Sequence, residues 1–66
     1  MQIFLNGQSK DITEALTLEG LLNSLKLEPA HVAVELNQEI ITKTAFAETD
    51  LKAGDKVEVV HFVGGG

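Results

Sequence analysis

Three consecutive glycines, Gly64-Gly65-Gly66, stand directly behind the apolar run Val57-Glu58-Val59-Val60-His61-Phe62-Val63. With glycine at about 7% of average sequence, three in a row at a fixed place arise by chance roughly three or four times in 10,000. Three explanations survive: a reactive carboxyl terminus carried on a slim tail, a solvated fray without a role, and a linker added in cloning. The other side chains offer less. His61 lies beside the tail, but a lone histidine on a strand is more often structural or solvent-facing. His31 has even less to recommend it, and Glu48 and Asp50 read as a solvated acidic loop. No serine-histidine-acid arrangement, phosphate-binding glycine loop or metal-ligand spacing occurs. The terminal glycines are not a phosphate loop, since no helix follows them.

Size and charge narrow the field. A chain of 66 residues makes one domain, buries only about 60% of its unfolded surface, and leaves little room for an enclosed active site, which points away from an autonomous enzyme. Hydrophobic residues make up 44% of it, enough for a packed core. The absence of cysteine removes disulfides, thiolate metal sites and a cysteine nucleophile together. No signal peptide is visible at the N-terminus and no apolar run approaches the roughly 18 residues that cross a bilayer, so a cytoplasmic protein with no membrane association is expected. Five lysines face ten acids for a net charge of -5, with no basic stripe and no arginine. Nucleic acid is therefore not an expected partner. A basic protein surface is a more natural one, because opposite fields speed encounter.

The elements that must hold the tail follow from periodicity. Gln2-Ile3-Phe4-Leu5 reads as a strand and meets Asn6-Gly7, the strongest short hairpin signal, which returns the chain through Gln8 to Ile12. Thr17 offers a hydroxyl as N-cap, and Leu18, Leu21, Leu22 and Leu25 share one helical face. Gly20 weakens that helix by about 1 kcal/mol relative to alanine, so its apolar face must pack on something. Pro29 is expected to close the helical stretch. His31-Val32-Ala33-Val34-Glu35-Leu36 alternates, and Asn37-Gln38 turns it into Glu39-Ile40-Ile41. Thr44 to Asp50 has no clear period, though Phe46 reads as a core anchor. Leu51-Lys52-Ala53-Gly54-Asp55 is a turn into the last strand at Lys56.

One leucine-faced helix across a mixed sheet is the economical way to bury these patterns, an α+β architecture. In the last strand Val57 and Val59 fall on one face, with Glu58, Val60 and Phe62 on the other. Ile3 and Leu5 join the core while Phe4 points away. A single helix leaves the second sheet face without a cover of its own, unless the β3-β4 region folds over part of it. Phe4, Val60 and Phe62 are then expected to form an exposed docking patch beside the tail.

Taken together, hairpin, helix, further strands and a last strand running into a terminal diglycine resemble the ubiquitin-like β-grasp sulfur carriers, and within them the ThiS family of thiamine thiazole biosynthesis. The resemblance spans the whole chain through Gln2 to Gly7, Thr17 to Leu22, Leu36-Asn37-Gln38-Glu39-Ile40-Ile41, Leu51 through Gly54-Asp55-Lys56-Val57, and Val60-His61-Phe62-Val63-Gly64-Gly65-Gly66. It implies a β-grasp domain over residues 1–62 and a flexible glycine tail over 63–66.

The same resemblance implies a carrier acted on by enzymes. A ThiF-like adenylating enzyme would use ATP to join the Gly66 carboxyl group to AMP, which supplies the leaving group that a carboxylate lacks. Sulfur from a persulfide donor would then make the thiocarboxylate, and a ThiG-like thiazole synthase would receive it. The carrier would bind no cofactor itself. Gly64 and Gly65, lacking Cβ, would let the tail thread a narrow cleft. Two other readings remain: the small subunit of molybdopterin synthase, which shares fold and diglycine, and a ubiquitin-like conjugation or interaction module.

Overall fold

The computed structural model describes residues 1–12 and 16–62; the glycine tail lies outside them. The first hairpin forms where Asn6-Gly7 demands it. β1 (Gln2–Leu5) and β2 (Gln8–Asp11) pair antiparallel with Leu5 opposite Gln8. Between them φ is +50° at Asn6 and +83° at Gly7, the double positive value of a type I′ turn. The second hairpin joins β3 (Val32–Leu36) to β4 (Glu39–Ile41) with φ of +52° at Asn37 and +71° at Gln38. No glycine relieves that turn, but Asn37 is anchored from outside it. Its Nδ2 donates to Asp55 Oδ1 at 3.1 Å and its Oδ1 accepts from the Lys56 amide at 2.9 Å.

The helix α1 (Leu18–Ser24) starts at Thr17, whose Oγ1 accepts from the Gly20 amide at 3.1 Å. It ends earlier than Pro29 would impose. Lys26 takes φ +61°, and the amides of Leu27 and Lys26 donate back to the carbonyls of Leu22 and Asn23 at 2.9 and 3.0 Å. This pair of bonds is a Schellman stop, with lysine in the left-handed position that glycine usually fills. Pro29 instead opens a 3₁₀ turn, Pro29–His31. The aperiodic stretch before the last strand contains a second 3₁₀ helix, Lys43–Glu48, which inserts Phe46 into the core at 1% exposure.

β5 (Lys56–His61) is the middle strand of a five-stranded sheet ordered β2-β1-β5-β3-β4. It runs parallel to β1, with Leu5 level with Val57, and antiparallel to β3, with Val34 opposite Val59. The helix and the 3₁₀ segment Lys43–Glu48 pack together over this mixed sheet, the β-grasp arrangement. Leu18, Leu21 and Leu22 of the helix meet Ile3, Val32, Val34 and Val57 of the sheet, all at most 1% exposed. Leu51, read from sequence as part of a turn, is also buried at 3%. Its amide bonds to the Leu16 carbonyl at 2.9 Å, a contact between segments remote in sequence. Among the described residues no helix is long and apolar enough to cross a membrane.

The left-handed lysine defines a test. Glycine at position 26 removes the Cβ clash of the Schellman position, worth roughly 1–2 kcal/mol, and returns part of it as unfolded-state entropy. Lys26→Gly should therefore raise stability by about 0.5–1 kcal/mol, a gain of a few degrees in thermal midpoint. A lower midpoint by calorimetry would contradict the assigned stop.

Candidate functional site

The site is the end of β5 and the sheet face around it, and both depend on how β5 is held. At its start, the Asp55 carboxylate accepts from the Lys52 amide at 2.8 Å and from Asn37 Nδ2. The Asp55 carbonyl accepts from the Phe4 amide at 2.8 Å. Midway, the Asn6 side chain takes over where β1 ends, its Oδ1 accepting from the Val59 amide at 2.8 Å in place of a main-chain carbonyl. At its end, the Phe62 amide donates to the His31 carbonyl at 2.8 Å. β5 is thus held by hydrogen bonds from its first residue through Phe62, the last described residue before Val63 and the three glycines.

The helix-free face carries large apolar side chains in the open: Phe4 is 38% exposed, Val60 61% and Phe62 48%. They stand at different levels. Phe4 is level with Lys56, and Val60 lies four residues further along β5. Phe4 borders a hollow of about 260 Å³ shared with Gly7, Lys56 and Glu58. Phe62 borders another of about 400 Å³ with Ala33, Ile40, Thr42 and Lys43. The Lys43 ammonium sits 6.0 Å from the Phe62 ring centroid and donates to the Ala30 carbonyl at 2.9 Å. A cation over a ring at this range is attracted to the aromatic face.

Sequence reading passed over Ile40, which is 76% exposed on the same face. Its register opposite Glu35 sets that orientation. The strand Glu39-Ile40-Ile41 has two adjacent isoleucines, so its alternation could not assign either one to the core. His31, His61, Glu48 and Asp50 are all exposed. Among the described residues no group of histidine and acidic side chains could hold a metal ion. Gly64, Gly65 and Gly66 lie outside the described residues.

Among the described residues, the arrangement offers a strand held through Phe62 and a sheet face that bears exposed apolar side chains. The ThiS family model matches residues 3–66, so the match runs through the final glycine. The sulfur carrier protein ThiS of Bacillus subtilis (strain 168) is 50% identical over 50 residues, covering 76% of this chain and 76% of that protein. A solved structure of the thiamine biosynthesis protein ThiS from Geobacter metallireducens superposes with a TM-score of 0.85 at 39% identity, covering all of both chains. The thiazole synthase of Paramagnetospirillum magneticum (strain ATCC 700264 / AMB-1) is 39% identical over 66 residues, all of this chain but only 20% of the synthase. The chain thus spans about a fifth of the length of the thiazole synthases it matches. The fold is that of a ubiquitin-like β-grasp protein. The chain belongs to the ThiS family.

Asn6 gives the site its own test. Asn6→Gly keeps the positive φ of the turn but removes the acceptor of the Val59 amide, and should cost about 1 kcal/mol. Asn6→Asp keeps the acceptor and should unfold near the wild-type temperature. Equal midpoints for all three proteins in thermal unfolding would show that the side chain does not help fix β5.

Proposed function

We propose that this protein is a sulfur carrier of thiamine thiazole biosynthesis, a co-substrate whose Gly66 carboxylate is activated, loaded with sulfur and discharged by partner enzymes. The observation that carries the reading is the family match over residues 3–66, which includes the glycine run. The chemistry follows from the carboxylate. A ThiF-like enzyme joins it to AMP from ATP with loss of pyrophosphate. A persulfide sulfur then attacks the acyl carbon, a C–S bond forms and AMP leaves. A thiol cleaves the resulting S–S bond, is itself oxidised to a disulfide, and leaves the thiocarboxylate on Gly66. A ThiG-like thiazole synthase consumes that sulfur. The likeness of this chain to a segment within proteins named thiazole synthase supports a functional link between carrier and synthase.

In this reading residues 1–62 are the docking body and 63–66 the reacting tail. Gly64 and Gly65 pass through a cleft too narrow for side chains, at a cost in ordering entropy that contacts of the folded body offset. Phe4, Val60 and Phe62 supply those contacts from the helix-free face, where they are exposed. The absence of cysteine leaves the carboxyl terminus as the place to hold sulfur. We place the protein in the cytoplasm, where ATP is available to the adenylating step.

Two experiments test this. Deleting Gly66, or adding a residue after it, should abolish thiocarboxylate formation by the purified adenylating and sulfur-transfer system, read by intact mass, with the thermal midpoint unchanged. Normal loading of either variant would exclude Gly66 as the acceptor. Phe62→Asp should weaken binding to the adenylating enzyme by several kcal/mol, since a charge would be buried at an interface without a partner. Its midpoint should stay within a few degrees of wild type. Unfolding of that variant would assign Phe62 to the core, and unchanged affinity would remove it from the docking surface.

A further inference from the structure

An asparagine followed by glycine is the pair in which the main chain most readily attacks its own side chain, because glycine has no Cβ to shield its nitrogen. Of the chain's three asparagines, Asn6 alone precedes glycine; Asn23 precedes Ser24 and Asn37 precedes Gln38. Asn6 and Gly7 are both exposed, and among the described residues nothing lies within 4 Å of where a Gly7 Cβ would stand. Water reaches this peptide bond freely.

The geometry of the turn nevertheless opposes the reaction. Attack by the Gly7 nitrogen on Asn6 Cγ closes a five-membered ring, which requires that nitrogen to eclipse Cβ about the Cα–C bond. A type I′ turn has ψ of about +30° at its first central residue, which sets the nitrogen nearly opposite Cβ instead. Asn6, at φ +50°, is kept in that turn by two bonds to β5. Its amide donates to the Val57 carbonyl at 2.8 Å, and its Oδ1 accepts from the Val59 amide at 2.8 Å. Ring closure swings Cγ away from Val59 and turns Gly7 out of the position that keeps Leu5 opposite Gln8.

We propose that Asn6-Gly7 is a deamidation site that the native fold holds shut and that becomes reactive when β5 separates from the first hairpin. The bond from the Gly7 nitrogen to Asn6 Cγ forms, the Cγ–Nδ2 bond breaks, and ammonia leaves with the proton of the Gly7 amide. Water then opens the succinimide ring at either carbonyl. Opening at the side-chain carbonyl leaves aspartate, which keeps an acceptor for the Val59 amide. Opening at the main-chain carbonyl leaves isoaspartate, whose main chain is one carbon longer and no longer fits the two-residue turn. The change is one-way, so a molecule that has opened at β5 is permanently marked at the residue that anchors β5, whether or not the chain carries sulfur.

The full chain, held at physiological temperature and mildly alkaline pH in buffer and in unfolding concentrations of guanidinium chloride, tests this by intact mass and peptide mapping. Deamidation at Asn6 should be at least about tenfold slower in buffer than in denaturant, because the reaction draws on the open population. In denaturant Asn6 should react well before Asn23 and Asn37. The isoaspartyl product, separated and returned to buffer, should unfold at a lower temperature than the unmodified protein, while the aspartyl product should unfold near it. Equal rates at Asn6 in buffer and denaturant would show that the fold does not hold the site shut. An isoaspartyl form as stable as the unmodified protein would show that the modification does not release β5.

Discussion

The structure depends on one constraint: the last strand must enter between two hairpins that are complete without it. β5 takes β1 as a parallel neighbour and β3 as an antiparallel one, so the N-terminal and middle hairpins share a sheet only through it. Long-range pairing of this kind requires loop closure before it gains hydrogen bonds. The chain offsets that cost with side chains as well as main chain. The side chains of Asp55, Asn37 and Asn6 each make at least one bond to a segment remote in sequence, and all of these bonds converge on β5 or the turn leading into it. The same residues that shape the turns therefore also fix the course of the strand.

Function inherits this economy. In the proposed carrier role the tail would need a rigid point of departure, and β5 is tied down up to the Phe62 amide. A small chain cannot build both a core and an enclosed active site. Here the core occupies one face of the sheet, where the helix and the second 3₁₀ segment cover it, and the other face remains open. Its Phe4, Phe62, Val60 and Ile40 side chains are 38%, 48%, 61% and 76% exposed.

Much of this molecule was legible in its residues. Asn6-Gly7 specifies a turn because only positive φ at both positions closes a two-residue hairpin, and the leucine spacing of the helix fixes its buried stripe. The alternation Val57, Val59 against Glu58, Val60 divided core from open face correctly because a strand has period two and one of its faces was buried. The end of the helix was not legible: proline is a strong signal, yet the chain had already stopped at a left-handed Lys26, a conformation that side-chain chemistry does not announce. Leu51 and Ile40 were equally hidden. One is buried because a distant segment bonds beside it, and the other is exposed because its register opposite Glu35 turns it outward. Sequence alone therefore determined the local turns and the periodic faces, both set by interactions within a few residues. Tertiary structure alone decided strand order, register, and which side chains meet on the open face, because these depend on contacts between segments that the chain keeps far apart.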